Sequence, residues 1–201
     1  EDDCNVCVDG QYRTEQHDSP CINCNAGKYV SGNSASDHAS ESNCKICHYS
    51  RYSYQGYGSC NWCEAGKFIN DDAATISEHD NEDDCDVCSH GRYRETNVQY
   101  PCKDCPAGTY NSYDNATANV IHHDAHTDCK VCLTGKYTNY TAASGCINCP
   151  RGSSRGSISD GLSWTGTNHL LADSVDDCIV CPLGQYAPVA SASSTSSCAP
   201  C

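Results

Sequence analysis

The chain has 201 residues, a net charge of −14 and 20 cysteines. Leu, Ile, Val and Phe make up only about 12% of it, too little apolar surface at that charge to offset the entropy of ordering, which excludes ordinary oily domains. The acidic balance leaves no basic stripe to displace counterions, so nucleic acid is excluded as a partner, and no apolar run is long enough to cross a bilayer.

In chain order, one phrase dominates. Every cysteine lies in a C-x-x-C pair, and nine pairs open C-x-x-C-x-x-Gly-x-Tyr, at Cys4, Cys21, Cys44, Cys60, Cys85, Cys102, Cys129, Cys146 and Cys178; a tenth pair ends at Cys201. The glycine slot holds Gly10, Gly27, Gly66, Gly91, Gly108, Gly135, Gly152 and Gly184, with Ser50 as the exception. The aromatic slot holds Tyr12, Tyr29, Tyr52, Phe68, Tyr93, Tyr110, Tyr137 and Tyr186, and Ser154 departs from it. Self-similarity of this kind dictates an array of small units.

Odd and even copies differ. A branched apolar residue precedes the second cysteine of the odd pairs (Val6, Ile46, Val87, Val131, Val180), whereas Asn23, Trp62, Asp104, Asn148 and Pro200 stand there in the even ones. Between an odd pair and the next even pair lie 13, 12, 13, 13 and 16 residues, and between an even pair and the next odd one 19, 21, 23 and 28. The short loops read as a fixed module and the long ones as variable surface decoration that carries contacts. The two-part repeat runs over 1–40, 41–81, 82–126 and 127–175, with a truncated fifth over 176–201.

The pattern starts and stops at C-x-x-C, so either the array continues beyond both ends or subunits join end to end. Each glycine predicts a backbone turn, and the following x-Tyr a strand of two to four residues in a hairpin. Helical turns are expected over 72–79 and 112–123, and each aromatic ring is expected against a disulfide, one miniature core per half-repeat.

This density of cysteine marks a disulfide scaffold in an oxidising setting, extracellular or at the cell surface; closing a loop of about 15 residues contributes roughly 3 kcal/mol. No leader segment and no methionine are present, which fits a processed secreted chain or a fragment of one.

The phrase, as in C-P-A-G-T-Y at Cys105 to Tyr110 and C-P-L-G-Q-Y at Cys181 to Tyr186, resembles the cysteine-rich repeats called ephrin-receptor-like, related to those of tumour necrosis factor receptors. Long arrays of such repeats look typical of surface and flagellar-hair proteins of algae, ciliates and related protists. The resemblance implies an elongated rod of disulfide-linked modules with short β-hairpins and mostly irregular loops. It also implies pairings: Cys7 to Cys21, Cys24 to Cys44, Cys47 to Cys60, Cys63 to Cys85, Cys88 to Cys102, Cys105 to Cys129, Cys132 to Cys146, Cys149 to Cys178 and Cys181 to Cys198. Cys4 and Cys201 are then unpaired or joined between subunits. Spacing alone leaves a second connectivity open, Cys4 to Cys21 and Cys7 to Cys24 in each repeat.

Other chemistry is weaker. Cys4 zinc spacing is approximated, but each such site would add about two negative charges to an already acidic chain. Ten equivalent pairs offer no privileged redox C-x-x-C. His38, His79 and His123 each fall six residues before an odd pair, a register that favours a repeated structural contact over a metal site; His122 and His126 add an i, i+4 pair. The acidic clusters Glu1-Asp2-Asp3, Asp71-Asp72 and Glu82-Asp83-Asp84 suit weak calcium sites, but the partner ligands are not evident.

Asn115-Ala-Thr117 and Asn139-Tyr-Thr141 are N-glycosylation sequons, and the Ser and Thr runs over 153–167 and 191–197 suit O-linked sugar. No catalytic set, phosphate loop or cofactor motif emerges. Ile76, Val120, Ile121, Leu170 and Leu171 stand in the long loops as loop anchors or subunit contacts. The expectation is a non-enzymatic structural protein that self-assembles into a surface filament and carries covalent glycans; the alternative is a monomeric receptor or adhesion ectodomain binding a protein ligand.

Overall fold

The computed structural model describes residues 6–14, 19–96, 101–133, 135–151, 153–154, 172–186 and 199–200. Among these, the strands form nine two-stranded antiparallel sheets, and every strand is two residues long. The architecture is a tandem series of small disulfide-rich modules.

One rule generates all nine. The first strand of each hairpin is the x-aromatic pair after the glycine turn, and the second is the two residues enclosed by the next C-x-x-C. Thus β1 (Gln11–Tyr12) pairs with β2 (Ile22–Asn23), β3 (Lys28–Tyr29) with β4 (Lys45–Ile46), and β5 (Arg51–Tyr52) with β6 (Asn61–Trp62). The series continues with β7 (Lys67–Phe68) and β8 (Asp86–Val87), β9 (Arg92–Tyr93) and β10 (Lys103–Asp104), and β11 (Thr109–Tyr110) and β12 (Lys130–Val131). It closes with β13 (Lys136–Tyr137) and β14 (Ile147–Asn148), β15 (Ser153–Ser154) and β16 (Ile179–Val180), and β17 (Gln185–Tyr186) and β18 (Ala199–Pro200). An isolated hairpin this short is at best marginal in water.

Glycine at the turn has two causes. Gly10 and Gly91 adopt φ of +84° and +69°, a region a side chain disfavours. A Cβ on Gly10 would also run into the Gly56 carbonyl, and one on Gly91 into the backbone of Ala142. Ser50 takes the same slot at φ +56°, with its hydroxyl buried and without a partner among the described residues.

Short 3-10 turns complete the loops: η1 (Ala35–His38), η2 (Glu41–Asn43), η3 (Ile76–Glu78), η4 (Glu82–Asp84), η5 (Thr117–His122), η6 (His126–Asp128) and η7 (Val175–Asp177). The helical turns expected over 72–79 and 112–123 correspond to η3 and η5. Four others end one residue before an odd cysteine pair. In three of them the acidic residue there caps the turn: Asp84 Oδ2 accepts from Asn81 N at 2.9 Å, Asp128 Oδ2 from Ala125 N at 2.9 Å and Asp177 Oδ2 from Ser174 N at 3.0 Å. Each satisfies an amide that has no partner inside the turn.

The miniature cores differ from expectation. Tyr12 packs with Val30 and the cysteines 24 and 44, Tyr52 with Ile69 and the cysteines 63 and 85, and Tyr93 with the cysteines 105 and 129. These are aromatic residues of odd copies; Tyr29, Phe68 and Tyr110 of the even copies are half-buried. One core therefore forms in each of the first three repeats, whereas Tyr137 of the fourth is half-buried. The long loop of the even hairpin folds back over the odd one and covers only that ring.

The chain divides into two compact units. The first comprises Glu1–Val87 with Thr96–Pro101, the second Cys88–Glu95 with Cys102–Cys201.

Candidate functional site

The features available for function are the disulfide ladder, the seam between neighbouring hairpins, the long-loop attachment and the exposed loop surface. The second cysteine of each pair bonds the first of the next: Cys7 to Cys21, Cys24 to Cys44, Cys47 to Cys60, Cys63 to Cys85, Cys88 to Cys102, Cys105 to Cys129, Cys132 to Cys146 and Cys149 to Cys178. The Cα atoms stand 5.5 to 5.9 Å apart, within the span a disulfide needs. Cys181 is itself disulfide-bonded; Cys198, Cys4 and Cys201 lie outside the described residues. These sulfurs are committed to one another, which leaves no thiolate at the eight bridges for zinc or redox exchange.

The glycine turn is also the seam. In the first unit Gly10 N–H donates to Val30 O at 2.8 Å, Gly27 N–H to Ser53 O at 2.8 Å and Ser50 N–H to Ile69 O at 3.2 Å. In the second, Gly91 N–H donates to Asn111 O at 2.9 Å and Gly108 N–H to Thr138 O at 2.8 Å. The acceptor is always the residue after the aromatic slot of the next copy. The carbonyl of the same turn residue accepts from the second cysteine of the next pair, as in Cys24 N–H to Gly10 O and Cys105 N–H to Gly91 O. Backbone groups alone make these bonds, so the seam repeats whatever the loops carry.

His38, His79 and His123 form the attachment of the long loops. They are 2%, 0% and 0% exposed. Nδ1 of each reaches the carbonyl of the first residue of the odd hairpin's leading strand: Gln11 at 2.6 Å, Arg51 at 2.7 Å and Arg92 at 2.8 Å. Their own carbonyls accept from Arg13 N–H, Ser53 N–H and Arg94 N–H. Nε2 of His38 faces Gly32 O at 3.0 Å, that of His123 faces Asp114 O at 3.0 Å, and that of His79 lies 3.5 Å from the Asp71 carboxylate. Ala172 holds the equivalent place in the fourth repeat, fully buried, and its carbonyl accepts from Thr138 N–H.

The other titratable candidates are dispersed. His122 stacks on Tyr113 with ring centroids 3.6 Å apart, and His126 lies beside Glu95. Asp71 accepts from Ala74 N–H and Thr75 N–H. Burial pushes its carboxyl up, but those two amides and His79 outweigh it and hold it below the usual carboxylate range. Asp72 pairs with His48 at 3.1 Å, and Asp84 caps η4, so the acidic clusters that suggested calcium are spent on internal contacts; Glu1, Asp2 and Asp3 lie outside the described residues. Among the described residues no group of three or more His, Cys, Asp or Glu is placed to hold a metal, and no helix is long and apolar enough to cross a membrane.

Asn115 and Asn139 are both exposed. Trp62 lies under the Arg51 guanidinium at 3.7 Å, across the hairpin register; Trp164, Leu170, Leu171 and the serine run over 191–197 lie outside the described residues. Apolar side chains stand in solvent at Ile121, 65% exposed, Leu133, 73% exposed, and Val8, 67% exposed.

Tandem disulfides, two-residue hairpins and irregular loops define a small disulfide-rich repeat protein. Residues 75–119 match the family model described as tyrosine-protein kinase ephrin type A/B receptor-like. With that match and the regular disulfide array, the chain carries cysteine-rich repeats of the ephrin-receptor-like kind. Such repeats and this many disulfides point to an extracellular or surface location. No curated protein matches the chain.

Proposed function

We propose that the chain is a non-enzymatic structural protein whose modules stack into a stiff rod and whose loops join copies of it into a surface filament. The carrying observation is the exposed apolar set Val8, Ile121 and Leu133 on a chain with little apolar residue to spare. Such side chains mark contacts where they cluster on assembled surfaces. A repeating unit joined head to tail through an interface that does not close grows as a fibre. Sugars on Asn115 and Asn139 decorate faces left open. Electron microscopy of the native, oxidised protein is expected to show fibres, with Ile121→Asp and Leu133→Asp lowering the assembled fraction; monodisperse monomers at every concentration overturn the reading.

A second reading, a receptor or adhesion ectodomain, draws on the receptor named in the description of the matched family. It expects a soluble monomer that captures a protein ligand saturably. Sedimentation of the chain alone separates the two.

A further inference from the structure

His38 and His123 share a geometry that structural packing alone does not require. Each ring is shut away from water; acceptors stand opposite both nitrogens at His38, Gln11 O and Gly32 O, and at His123, Arg92 O and Asp114 O, whereas Nε2 of His79 has no hydrogen-bond partner among the described residues. A neutral imidazole has one N–H. It satisfies one acceptor and turns a lone pair on the other, at 3.0 Å in His38 and His123. An imidazolium donates to both.

We propose that His38 is a proton-operated latch: doubly protonated, it fastens its long loop to the hairpin before it, and loss of the second proton frees that loop. The mechanical link is direct, because the same residue accepts the amide of Arg13 through its own carbonyl. A ring that lets go takes the backbone bond with it.

The charges around the rings differ. Asp9, 4.0 Å from Nε2, and the adjacent Asp37 favour the cation at His38. Arg51 and Arg92, which lend their carbonyls, turn their guanidinium groups onto Trp62 and Asp104. At His123 the Asn111 amide nitrogen comes within 3.3 Å of Nδ1, a donor where His38 meets only acceptors.

At His38 the carbonyls of Gln11 and Gly32 outweigh burial and, with Asp9 and Asp37, raise the imidazole above its ordinary value. A group raised on folding lends its full stability below the unfolded value, about 6.5, and loses it as pH rises through the folded one. The fastening therefore belongs to acid conditions and slackens toward alkaline ones. The fourth repeat is a built-in comparison, since Ala172 makes the backbone bond with no ring to titrate.

The experiment uses the oxidised full chain labelled with nitrogen-15. Imidazole nitrogen spectra from pH 5 to 9 report how many protons each ring carries, and amide exchange over the same range, corrected for base catalysis, reports loop release. Both nitrogens of His38 are expected to be protonated at neutral pH. Exchange at Arg13 then rises by up to tenfold per pH unit above about 6.5, until the ring loses its second proton, while Thr138 shows no such step. His38→Gln, which donates with no charge to titrate, removes the step at Arg13. A singly protonated His38 ring at neutral pH, or its proton loss with no step at the Arg13 amide, overturns the proposal. Neither outcome depends on whether the chain assembles.

Discussion

Replacing Ser50 with glycine is expected to tighten the hairpin of β5 and β6, although the change deletes buried atoms. Ser50 holds φ at +56° in a slot where Gly10 and Gly91 sit without strain, and the left-handed region costs a side-chain-bearing residue about 1–2 kcal/mol. Its buried hydroxyl has no partner among the described residues, a further penalty of about 1 kcal/mol at the low end. Against these stand about 0.8 kcal/mol for the lost carbon and about 0.5–1 kcal/mol for the freedom of glycine in the unfolded chain. The balance favours glycine by about 1 kcal/mol, roughly a fivefold change in local opening. The reporter is the Cys63 amide, which donates to the carbonyl of residue 50 at 2.9 Å. Its hydrogen exchange should slow about fivefold while the equivalent Cys24 amide keeps its rate. Unchanged or faster exchange at Cys63 refutes the account of the turn.

The reverse experiment, Gly91→Ala, drives a Cβ into the backbone of Ala142 at φ +69° and is expected to cost about 2 kcal/mol or more; exchange at the Ala142 amide, bonded to Cys105 O, should quicken about thirtyfold. Asp71 is depressed on folding, so the stability it lends is present above its unfolded value, near pH 4, and is lost as pH falls through the folded one. Exchange at Ala74 and Thr75 should therefore loosen in acid, and Asp71→Asn should abolish that dependence. Expression of Asn139→Gln in a eukaryotic secretory host is expected to remove one N-glycan by intact mass, with Asn115→Gln removing a second.

The repeat and the hairpin were legible because they are written in residue type. Glycine in a fixed slot announces a turn, and the aromatic two places on announces the first strand. The second strand was not legible, since two residues inside C-x-x-C, as varied as Ile22–Asn23 and Lys103–Asp104, carry no alternation to read. Spacing likewise left two disulfide connectivities open. The register of His38, His79 and His123 was visible, but their acceptors are backbone carbonyls, which leave no mark in a sequence. The capped turns had a readable signature in Ser34-x-x-Asp37, Asn81-x-x-Asp84 and Ser174-x-x-Asp177. Trp62 had no evident role until the hairpin register set Arg51 across from it.

The order in which the sulfurs are joined also governs how this molecule survives injury. From Cys7 to Cys178 every loop begins and ends at bonded cysteines, and the stretches left outside a closed ring are the residues within each C-x-x-C, already tied into strands such as β2 and β4. A protease that clips once in any loop opens a ring without parting the molecule, which keeps its mass on a gel until a reductant is added. An exposed surface protein wired this way tolerates many cuts before it sheds a piece.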